Sequence, residues 1–279
     1  MKKFITISII CQLSTIIFFA ACSPNSVNID TSLKPIFDGG QVAGSFGMFD
    51  NGTGKFTVYN LSRFKDSPYL PASTFKIVNS LIGVETGRVV NEKMVIKWDG
   101  VVRRFGNGDT AKNWNQDLTM AQAFEYSAVP YYQEVARRIG RDTMQQWLDS
   151  VHYGNKKIGN SIDSFWLNNS LKITADEQLG LIKKLYFYQL PFQRRTQEIV
   201  RKMMIRENNT NYILAYKTGL GNTENGNGLG WVVGWIEENR HPYFFVLNIE
   251  GKHDLDMAKL RMEMLKEILK GYGFFEGKK

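Results

Sequence analysis

Alternating and periodic apolar positions divide the chain into strands at its two ends and helices between them. Residues 42–60 alternate between apolar and polar side chains around Asn51-Gly52, which predicts a β-hairpin with its turn at that pair. Apolar positions with helical spacing predict helices at 72–85, 119–126, 130–139, 142–151, 176–188, 196–205 and 256–269. Residues 211–218, 228–237 and 242–250 predict three further strands, which the short turns between them make antiparallel.

This order of elements predicts a mixed α/β fold of the α+β type. The simplest packing is a central antiparallel sheet built from both chain ends and flanked by helices, with a helical lobe, about residues 88–195, inserted between them. The boundary between the two lobes forms a cleft, which is the usual place for a ligand site. The length of 279 residues fits one large domain or two small ones, and we assign one domain to residues 35–279.

The first 34 residues differ in composition from the rest. Lys2 and Lys3 precede an apolar run that ends in small residues, which is typical of a secretory signal peptide over residues 1–21. An uncleaved membrane anchor is the alternative. Residues 22–34 are mostly polar and predict a flexible tether.

Cys22 stands where export and lipidation motifs place a cysteine. Phe19-Ala20-Ala21-Cys22 resembles a lipobox, the bacterial motif whose cysteine is lipidated, although Leu is usual where this chain has Phe19. Ordinary signal cleavage is therefore the alternative. Both interpretations place the protein outside the cytoplasm, in the periplasm, and the first attaches it to the membrane through Cys22. No cysteine follows Cys22, which excludes an intramolecular disulfide and a cysteine zinc site.

Charge and histidine content narrow the class of partner. The net charge is +8, but the basic residues are scattered and form no long block, so no nucleic-acid partner is expected. The charge favours an anionic small-molecule substrate or anionic lipid headgroups. His152, His241 and His253 are too far apart to predict a metal site. The sequence is compatible with either a monomer or a homodimer.

Ser73 and Lys76 are the first candidates for chemistry. Residues three apart on a helix share a face, and Ser73 would lie in the first turn, where free backbone N–H groups favour a developing oxyanion. A buried lysine can lose its charge and serve as the base that a serine nucleophile needs. The alternative is a helix cap with a surface lysine, which the apolar surroundings of this helix disfavour.

Two further motifs come later in the chain, and the order of all three motifs helps to indicate the class of enzyme. Ser127 lies between two predicted helices, where its hydroxyl could relay a proton to a leaving nitrogen, or simply cap a helix. Lys217-Thr218-Gly219 ends a predicted strand, where Lys and Thr can bind a carboxylate and Gly permits close approach of a substrate. Each motif alone is more often structural. Together with Ser73-x-x-Lys76 they form the set typical of penicillin-recognising enzymes.

The motifs resemble the class D (oxacillinase-type) β-lactamases over nearly all of the mature chain. Ser127-Ala128-Val129 matches the Ser-x-Val of that family, whereas penicillin-binding proteins and class A enzymes have Asn at the third position. The other matching segments are Ser73-Thr74-Phe75-Lys76, Tyr153-Gly154-Asn155, Trp166, Lys217-Thr218-Gly219, Trp231-Val232-Val233-Gly234 and, from one residue alone, Arg261. The resemblance implies the serine β-lactamase/transpeptidase-like fold and the hydrolysis of β-lactam antibiotics, which gives resistance.

The resemblance also implies a modified lysine in place of a bound cofactor. Lys76, desolvated among apolar side chains, would react with CO2 or bicarbonate to form a carbamate (N6-carboxylysine). Trp166 would donate its indole N–H to that carbamate, because the indole nitrogen can only donate. The carbamate would deprotonate Ser73 and then the water that hydrolyses the acyl-enzyme.

The remaining roles concern the substrate. The backbone N–H groups of Ser73 and Leu220 would form the oxyanion hole, and Ser127 would pass a proton to the lactam nitrogen. Lys217, Thr218 and Arg261 would hold the substrate carboxylate. The complete set of expected substrate contacts is Val129, Lys217, Thr218, Gly219, Leu220 and Arg261.

Two other functions share most of these motifs. A penicillin-binding D,D-peptidase carries the same serine and lysines, but Val129 and Trp166 speak against it. A non-hydrolytic β-lactam sensor resembles class D enzymes and stays acylated, but such domains follow several membrane spans, and this sequence offers only a signal segment.

Overall fold

The computed structural model describes residues 26–106 and 108–279. Its strands are β1 (Val27–Ile29), β2 (Ala43–Asp50), β3 (Phe56–Tyr59), β4 (Val95–Ile96), β5 (Leu118–Thr119), β6 (Ile205–Asn208), β7 (Ile213–Asn222), β8 (Gly228–Glu238) and β9 (His241–Gly251). Its α-helices are α1 (Lys34–Gly39), α2 (Leu61–Asp66), α3 (Lys76–Glu85), α4 (Met120–Glu125), α5 (Val129–Ile139), α6 (Arg141–Val151), α7 (Ala175–Tyr186), α8 (Arg194–Met204) and α9 (Met257–Gly271). Short 3-10 turns lie at Thr31–Leu33, Ala72–Phe75 and Lys112–Trp114.

Strands from both chain ends form one sheet, as the sequence predicts. The order is β1-β3-β2-β9-β8-β7-β6, and only the β1–β3 pair is parallel. The junction between the two ends is the β2–β9 pair, in which Ala43 lies opposite Glu250 and Asp50 opposite Tyr243. The predicted α+β architecture, with a central antiparallel sheet flanked by helices, is confirmed.

Two apolar clusters cover the two faces of the sheet. One joins the sheet to α1 and α9 and includes Phe37, Phe46 and Leu265, all 0–1% exposed. The other joins it to the helical lobe and includes Phe75, Trp166 and five residues of α5. Strand β8 is buried at ten of its eleven positions because both clusters press on it.

Helix α3 runs through the lobe cluster and carries the first motif. Every residue from Lys76 to Gly83 is buried, which confirms the expectation of a central helix. The turn that contains Ser73 differs from the prediction, because Ala72–Phe75 is a 3-10 turn that precedes the α-helix. Its tight winding follows from Pro71, whose carbonyl accepts hydrogen bonds from both Thr74 N (3.1 Å) and Thr74 Oγ1 (2.7 Å).

Only residues 26–34 of the predicted N-terminal segment can be compared with the structure. The signal peptide 1–21 and the lipidation candidate Cys22 lie outside the described residues. The second half of the predicted tether 22–34 differs from the structure, because β1 pairs in parallel with β3 and Leu33 is buried against the sheet. Three residues of pairing are too short to leave an alternating pattern that sequence could reveal. Within 26–106 and 108–279, no helix combines the length and apolar character needed to cross a membrane.

Candidate active site

Lys76 is fully buried and lies against the serine. Its Nζ is 2.6 Å from Ser73 Oγ, and its exposure is 0%. Burial alone lowers the pKa of Lys76 to about 7, because desolvation disfavours the ammonium and no carboxylate among the described residues offsets it. The ring centroid of Tyr132 lies 5.5 Å from Nζ. The sequence-predicted pair of hydroxyl and neutral amine is therefore brought into hydrogen-bonding contact.

Trp166 carries a buried donor that lacks an acceptor. Its ring stacks on Phe75 with 5.4 Å between centroids, and the side chain is 0% exposed. Among the described residues, no oxygen or nitrogen accepts a hydrogen bond from its Nε1. A buried donor without a partner costs about 1–3 kcal/mol, so it calls for an acceptor that the unmodified side chains do not provide. A carbamate on Lys76 would supply two acceptor oxygens, and Phe75, on which Trp166 stacks, is the neighbour of Lys76 in the chain.

Tyr153-Gly154-Asn155 holds the segment that carries Trp166. Asn155 Oδ1 accepts a hydrogen bond from Lys172 N (3.0 Å), and its Nδ2 donates to Ser170 O (2.9 Å). Gly154 has φ +48°, and a Cβ there would lie 2.0 Å from the Lys172 carbonyl oxygen. The tripeptide is thus a positioning turn whose tyrosine packs edge-on against Phe75.

Ser127 and Lys217, which are 90 residues apart in the chain, lie in contact. Lys217 Nζ donates to Ser127 Oγ (3.1 Å) and to the carbonyl of Thr218 (3.0 Å). Ser127 adopts φ +56°, a left-handed conformation that breaks the chain between α4 and α5 and turns the residue away from a helix-capping role. Val129 is the first residue of α5 and is half-buried. The structure brings the second and third motifs into contact, as their shared chemistry requires.

Lys217 is surrounded by cations. Desolvation lowers its pKa well below the ordinary value, and the charges of Lys76, Arg206 and Arg261 lower it further. Arg261 Nη1 donates to the Gly219 carbonyl, and burial lowers the pKa of Arg261 to about 10. This concentration of positive charge suits an anionic group that arrives from outside.

Close packing around Gly219 also favours glycine at this position. A Cβ on Gly219 would lie 2.9 Å from the carbonyl oxygen of Pro71 and 3.2 Å from Cβ of Trp231. The bare backbone therefore lets β7 approach the turn that carries Ser73, in addition to any approach by a substrate. Leu220, the next residue, is 46% exposed.

The third motif lies within its strand, and the prediction that it ends the strand is wrong. Pairing of β7 with β8 continues from Gly219 opposite Trp231 to Asn222 opposite Gly228. The sequence Leu220-Gly221-Asn222 indicates a loop because it lacks alternation and is rich in turn residues. Ladder pairing with β8 overrides that local preference.

The sequence did not predict the polar contacts that support the turn around Ser73, although Trp231 belongs to one of the matching segments. Gln178 Nε2 donates to Thr74 Oγ1 (2.7 Å) from α7, and Trp231 Nε1 donates to the carbonyl of Leu70 (2.9 Å). Both hold the turn around Ser73 from elements remote in sequence. A glutamine on the apolar side of α7, where the pattern calls for a hydrophobic residue, is the one signal that pointed to such a role.

Comparison with known proteins places this geometry in a family. Residues 38–270 match the penicillin-binding protein transpeptidase domain. β-Lactamase OXA-10 from Pseudomonas aeruginosa is 35% identical over 279 residues, which cover 99% of this chain and all of that protein. The crystal structure of FUS-1 (OXA-85), a class D β-lactamase from Fusobacterium nucleatum subsp. polymorphum, is 35% identical with a TM-score of 0.82, and covers 89% of this chain and all of that one. The chain belongs to the class D β-lactamases.

One structural relative of this class D chain is named as a receptor. The C-terminal domain of the Bacillus licheniformis BlaR penicillin-receptor is 28% identical, has a TM-score of 0.82, and covers 90% of this chain and 99% of that domain. The fold alone therefore does not separate a class D enzyme from a receptor domain. The distinction depends on whether the acylated serine is hydrolysed or stays acylated.

Proposed function

We propose that this class D enzyme hydrolyses β-lactam antibiotics through an acyl-enzyme on Ser73. The observation that carries the proposal is the 2.6 Å contact between Ser73 Oγ and a fully buried Lys76 Nζ. A serine hydroxyl becomes a competent nucleophile only when a group beside it can accept its proton at neutral pH. A lysine with a pKa near 7 is suited to that task, since a large fraction is uncharged under physiological conditions.

The proposed base is Lys76 modified by CO2. When formed, the carbamate supplies an anionic proton acceptor in the apolar pocket, and Trp166 Nε1 would hold it. In the first half of the reaction, Ser73 Oγ gives its proton to the modified Lys76 side chain and bonds to the lactam carbonyl carbon. In the second half, the attacking water would give a proton to this side chain and bond to the acyl carbon, and Ser73 Oγ would leave and take that proton back.

The other site residues act on the substrate. The lactam C–N bond breaks as the nitrogen receives a proton from Ser127 Oγ, which Lys217 Nζ contacts at 3.1 Å. Ser127 then regains a proton from the Lys76 side chain, which holds the proton of Ser73, so that this side chain can accept another proton in the second half of the reaction. Lys217, Thr218 and Arg261 bind the substrate carboxylate, while the backbone N–H groups of Ser73 and Leu220 stabilise the oxyanion. Val129, at the start of α5, contributes an apolar contact to the substrate.

A chromogenic cephalosporin tests the proposal against its rivals. A hydrolytic enzyme releases product steadily over many turnovers, whereas a D,D-peptidase or a β-lactam receptor gives one burst equal to the enzyme concentration. The unpartnered Trp166 Nε1 favours the enzyme, because it prepares the pocket for a base that serves deacylation. A single burst followed by a flat trace would contradict the proposal.

The proposal for localisation rests on sequence. We infer export through the signal segment 1–21 and attachment to the membrane through a lipidated Cys22. Membrane fractionation with Cys22→Ser as the matched variant tests it. Release of the variant, with the parent protein retained in the membrane fraction, is the expected result.

A further inference from the structure

A cavity of about 380 Å³ lies beside α5, and the proposed mechanism gives it no role. One wall is the part of α5 from Pro130 to Arg138, and the other is formed by β4, β5 and side chains from the connection between these strands. The volume falls within the range of small-molecule sites, roughly 300–1,000 Å³. The cavity is separate from the candidate active site, because its lining does not include Ser73, Lys76, Ser127 or Lys217.

Exposed apolar side chains are concentrated in and around β4. Of the ten large hydrophobic side chains that are exposed among the described residues, six lie within residues 90–105. Two of these six, Val95 and Trp98, line the cavity, together with a second indole ring from Trp114. Exposed apolar groups that gather in one patch mark a binding surface, whereas scattered ones do not. The cavity therefore offers apolar and aromatic contacts to a ring system.

The polar part of the lining carries more cations than carboxylates. It contains four cations and two carboxylates, namely Lys97, Arg103, Arg137 and Arg138 with Asp99 and Glu134. Arg103 pairs with Asp99, whereas Arg137 and Arg138 share Glu134 at 3.1 and 2.8 Å. Asp163, from outside the lining, also contacts Arg137 at 2.6 Å. Within the part of the chain that the structure describes, Lys97 forms no ion pair. One positive charge is left over, which favours a ligand with a single negative charge.

The cavity contacts the chain on both sides of Ser127. Trp114 Nε1 donates a hydrogen bond to the carbonyl of Tyr126 (3.0 Å), the residue before Ser127. Pro130 lines the cavity from the first turn of α5, three residues after Ser127. Ser127 has φ +56°, a conformation that persists only when the surrounding structure holds it. A molecule in the cavity would thus contact residues on which the position of Ser127 depends.

We propose that this cavity is a second ligand site, which binds an aromatic compound with one carboxylate or sulfonate group and acts on Ser127 through Trp114 and Pro130. The ring system packs on Trp98, and the anionic group pairs with Lys97. A β-lactam and this ligand bind together, because the cavity and the active site share no catalytic residue. Binding is independent of the proposed function, whereas the effect on turnover rests on the role of Ser127 in it.

Titration with 8-anilinonaphthalene-1-sulfonate tests the binding. This probe has an aromatic body and one sulfonate, and its fluorescence rises in apolar surroundings. We expect one probe molecule per chain. Trp98→Ala should weaken binding about tenfold through lost ring packing, and Lys97→Glu should weaken it about tenfold through charge reversal.

Matched variants of the same segment are the controls. Val102 is also exposed and Lys93 also lacks an ion pair among the described residues, but neither lines the cavity. Val102→Ala and Lys93→Glu should therefore bind the probe like the parent protein. Unchanged binding in both Trp98→Ala and Lys97→Glu overturns the site, as does binding of several probe molecules per chain.

Lys217→Gln separates this cavity from the active-site cleft. Binding should be the same in this variant as in the parent protein, because Lys217 does not line the cavity. If Lys217→Gln weakens binding and Lys97→Glu does not, the sulfonate occupies the carboxylate subsite. That result overturns the second site and leaves the proposed function intact.

Acylation of the unchanged enzyme avoids any effect of a substitution on folding. At saturating penicillin, stopped-flow measurement with the probe present should show acylation slowed by at least about twofold, because a small displacement of a catalytic group is costly. Inhibition that penicillin relieves places the probe in the cleft and overturns the second site. An unchanged rate with the probe bound overturns the link to Ser127. Absence of acylation without the probe contradicts the proposed function, and the titration then still tests the cavity.

Discussion

The two faces of the central sheet differ in how well their buried polar groups are hydrogen-bonded. On the face covered by α1 and α9, the core is made of side chains such as Phe46 and Leu247, both fully buried. The buried acid at its end, Glu238, accepts hydrogen bonds from the backbone N–H groups of Phe275 (2.6 Å) and Lys279 (3.1 Å). Glu238 is therefore satisfied, and apart from Arg261 Nε on α9, which lacks a hydrogen-bond partner among the described residues, this face mainly contributes stability.

The lobe face buries charges and leaves donors unsatisfied. Within the described part of the chain, Lys76 and Lys217 are 0% and 2% exposed without a carboxylate beside them, and Trp166 Nε1 and Tyr153 OH have no hydrogen-bond partner. Each such group opposes folding, so the apolar face and the surrounding aromatic cluster must stabilise the site. The groups that destabilise the fold thus lie on the lobe face, which carries the candidate active site.

Loss of Lys76 should produce the largest effect on activity. Lys76→Ala removes the proposed base for both halves of the reaction, and we expect kcat to fall by about 10⁴-fold, below detection with a chromogenic cephalosporin. Stopped-flow measurement with intact-protein mass spectrometry would show whether any acyl-enzyme forms. Retention of more than a few per cent of kcat would rule out Lys76 as the base.

Leu265→Ala on the opposite face is the control for that change. Leu265 is fully buried in the α9 core, so truncation should lower the free energy of unfolding by about 2–5 kcal/mol. Turnover per folded molecule should stay unchanged, which chemical denaturation and active-site titration would measure together. A loss of turnover in Leu265→Ala would mean that the two faces are not independent.

Substitution of Trp166 should slow deacylation more than acylation. In Trp166→Ala we expect deacylation to fall by about 10²-fold and acylation by much less, because the carbamate loses its donor. Trp166→Phe keeps a ring to stack on Phe75 without the N–H group and should show the same kinetic defect with less loss of stability. Accumulated acyl-enzyme, detected by mass spectrometry, is the measurement. A full steady-state rate in either variant would contradict the carbamate account.

Motif order and periodicity were enough to predict five of the seven strands of the central sheet, the buried α3 and the pairing of Ser73 with Lys76, but not β1 or β6. The Ser-x-x-Lys spacing fixes that contact within one turn, so it survives the change from an α-helical to a 3-10 start. The extent of β7 was not predictable in the same way, because its last residues are held by the ladder with β8 and not by their own propensity.

Residues that act across the fold were also beyond the sequence pattern. Gln178 reaches Thr74 over a separation of 104 residues, and Arg206 reaches the Phe124 ring through a bulge that periodicity does not reveal. The strand β1 was predicted as part of a tether because its stabilisation comes from β3 and not from its own sequence. Local patterns therefore predict the motifs, and tertiary contacts supply their supports.

Bicarbonate should produce the smallest but most specific effect. Because the pKa of Lys76 is lowered to about 7, its neutral fraction falls to about a tenth at pH 6, and only the neutral amine reacts with CO2. Activity should decline below pH 7, and added bicarbonate should restore it several-fold at pH 6 in a panel of β-lactams. Absence of any gain would favour an unmodified lysine as the base.

The two buried lysines should limit activity at opposite ends of the pH range. Lys76 must be uncharged to be modified and limits activity on the acid side, whereas Lys217 must be charged to hold a carboxylate and limits it on the alkaline side. Bicarbonate acts by mass action on the first equilibrium alone. We therefore expect it to move the acid limb and leave the alkaline limb in place. A uniform gain across the whole pH range would show that bicarbonate acts as a general anion on the cationic pocket and not through Lys76.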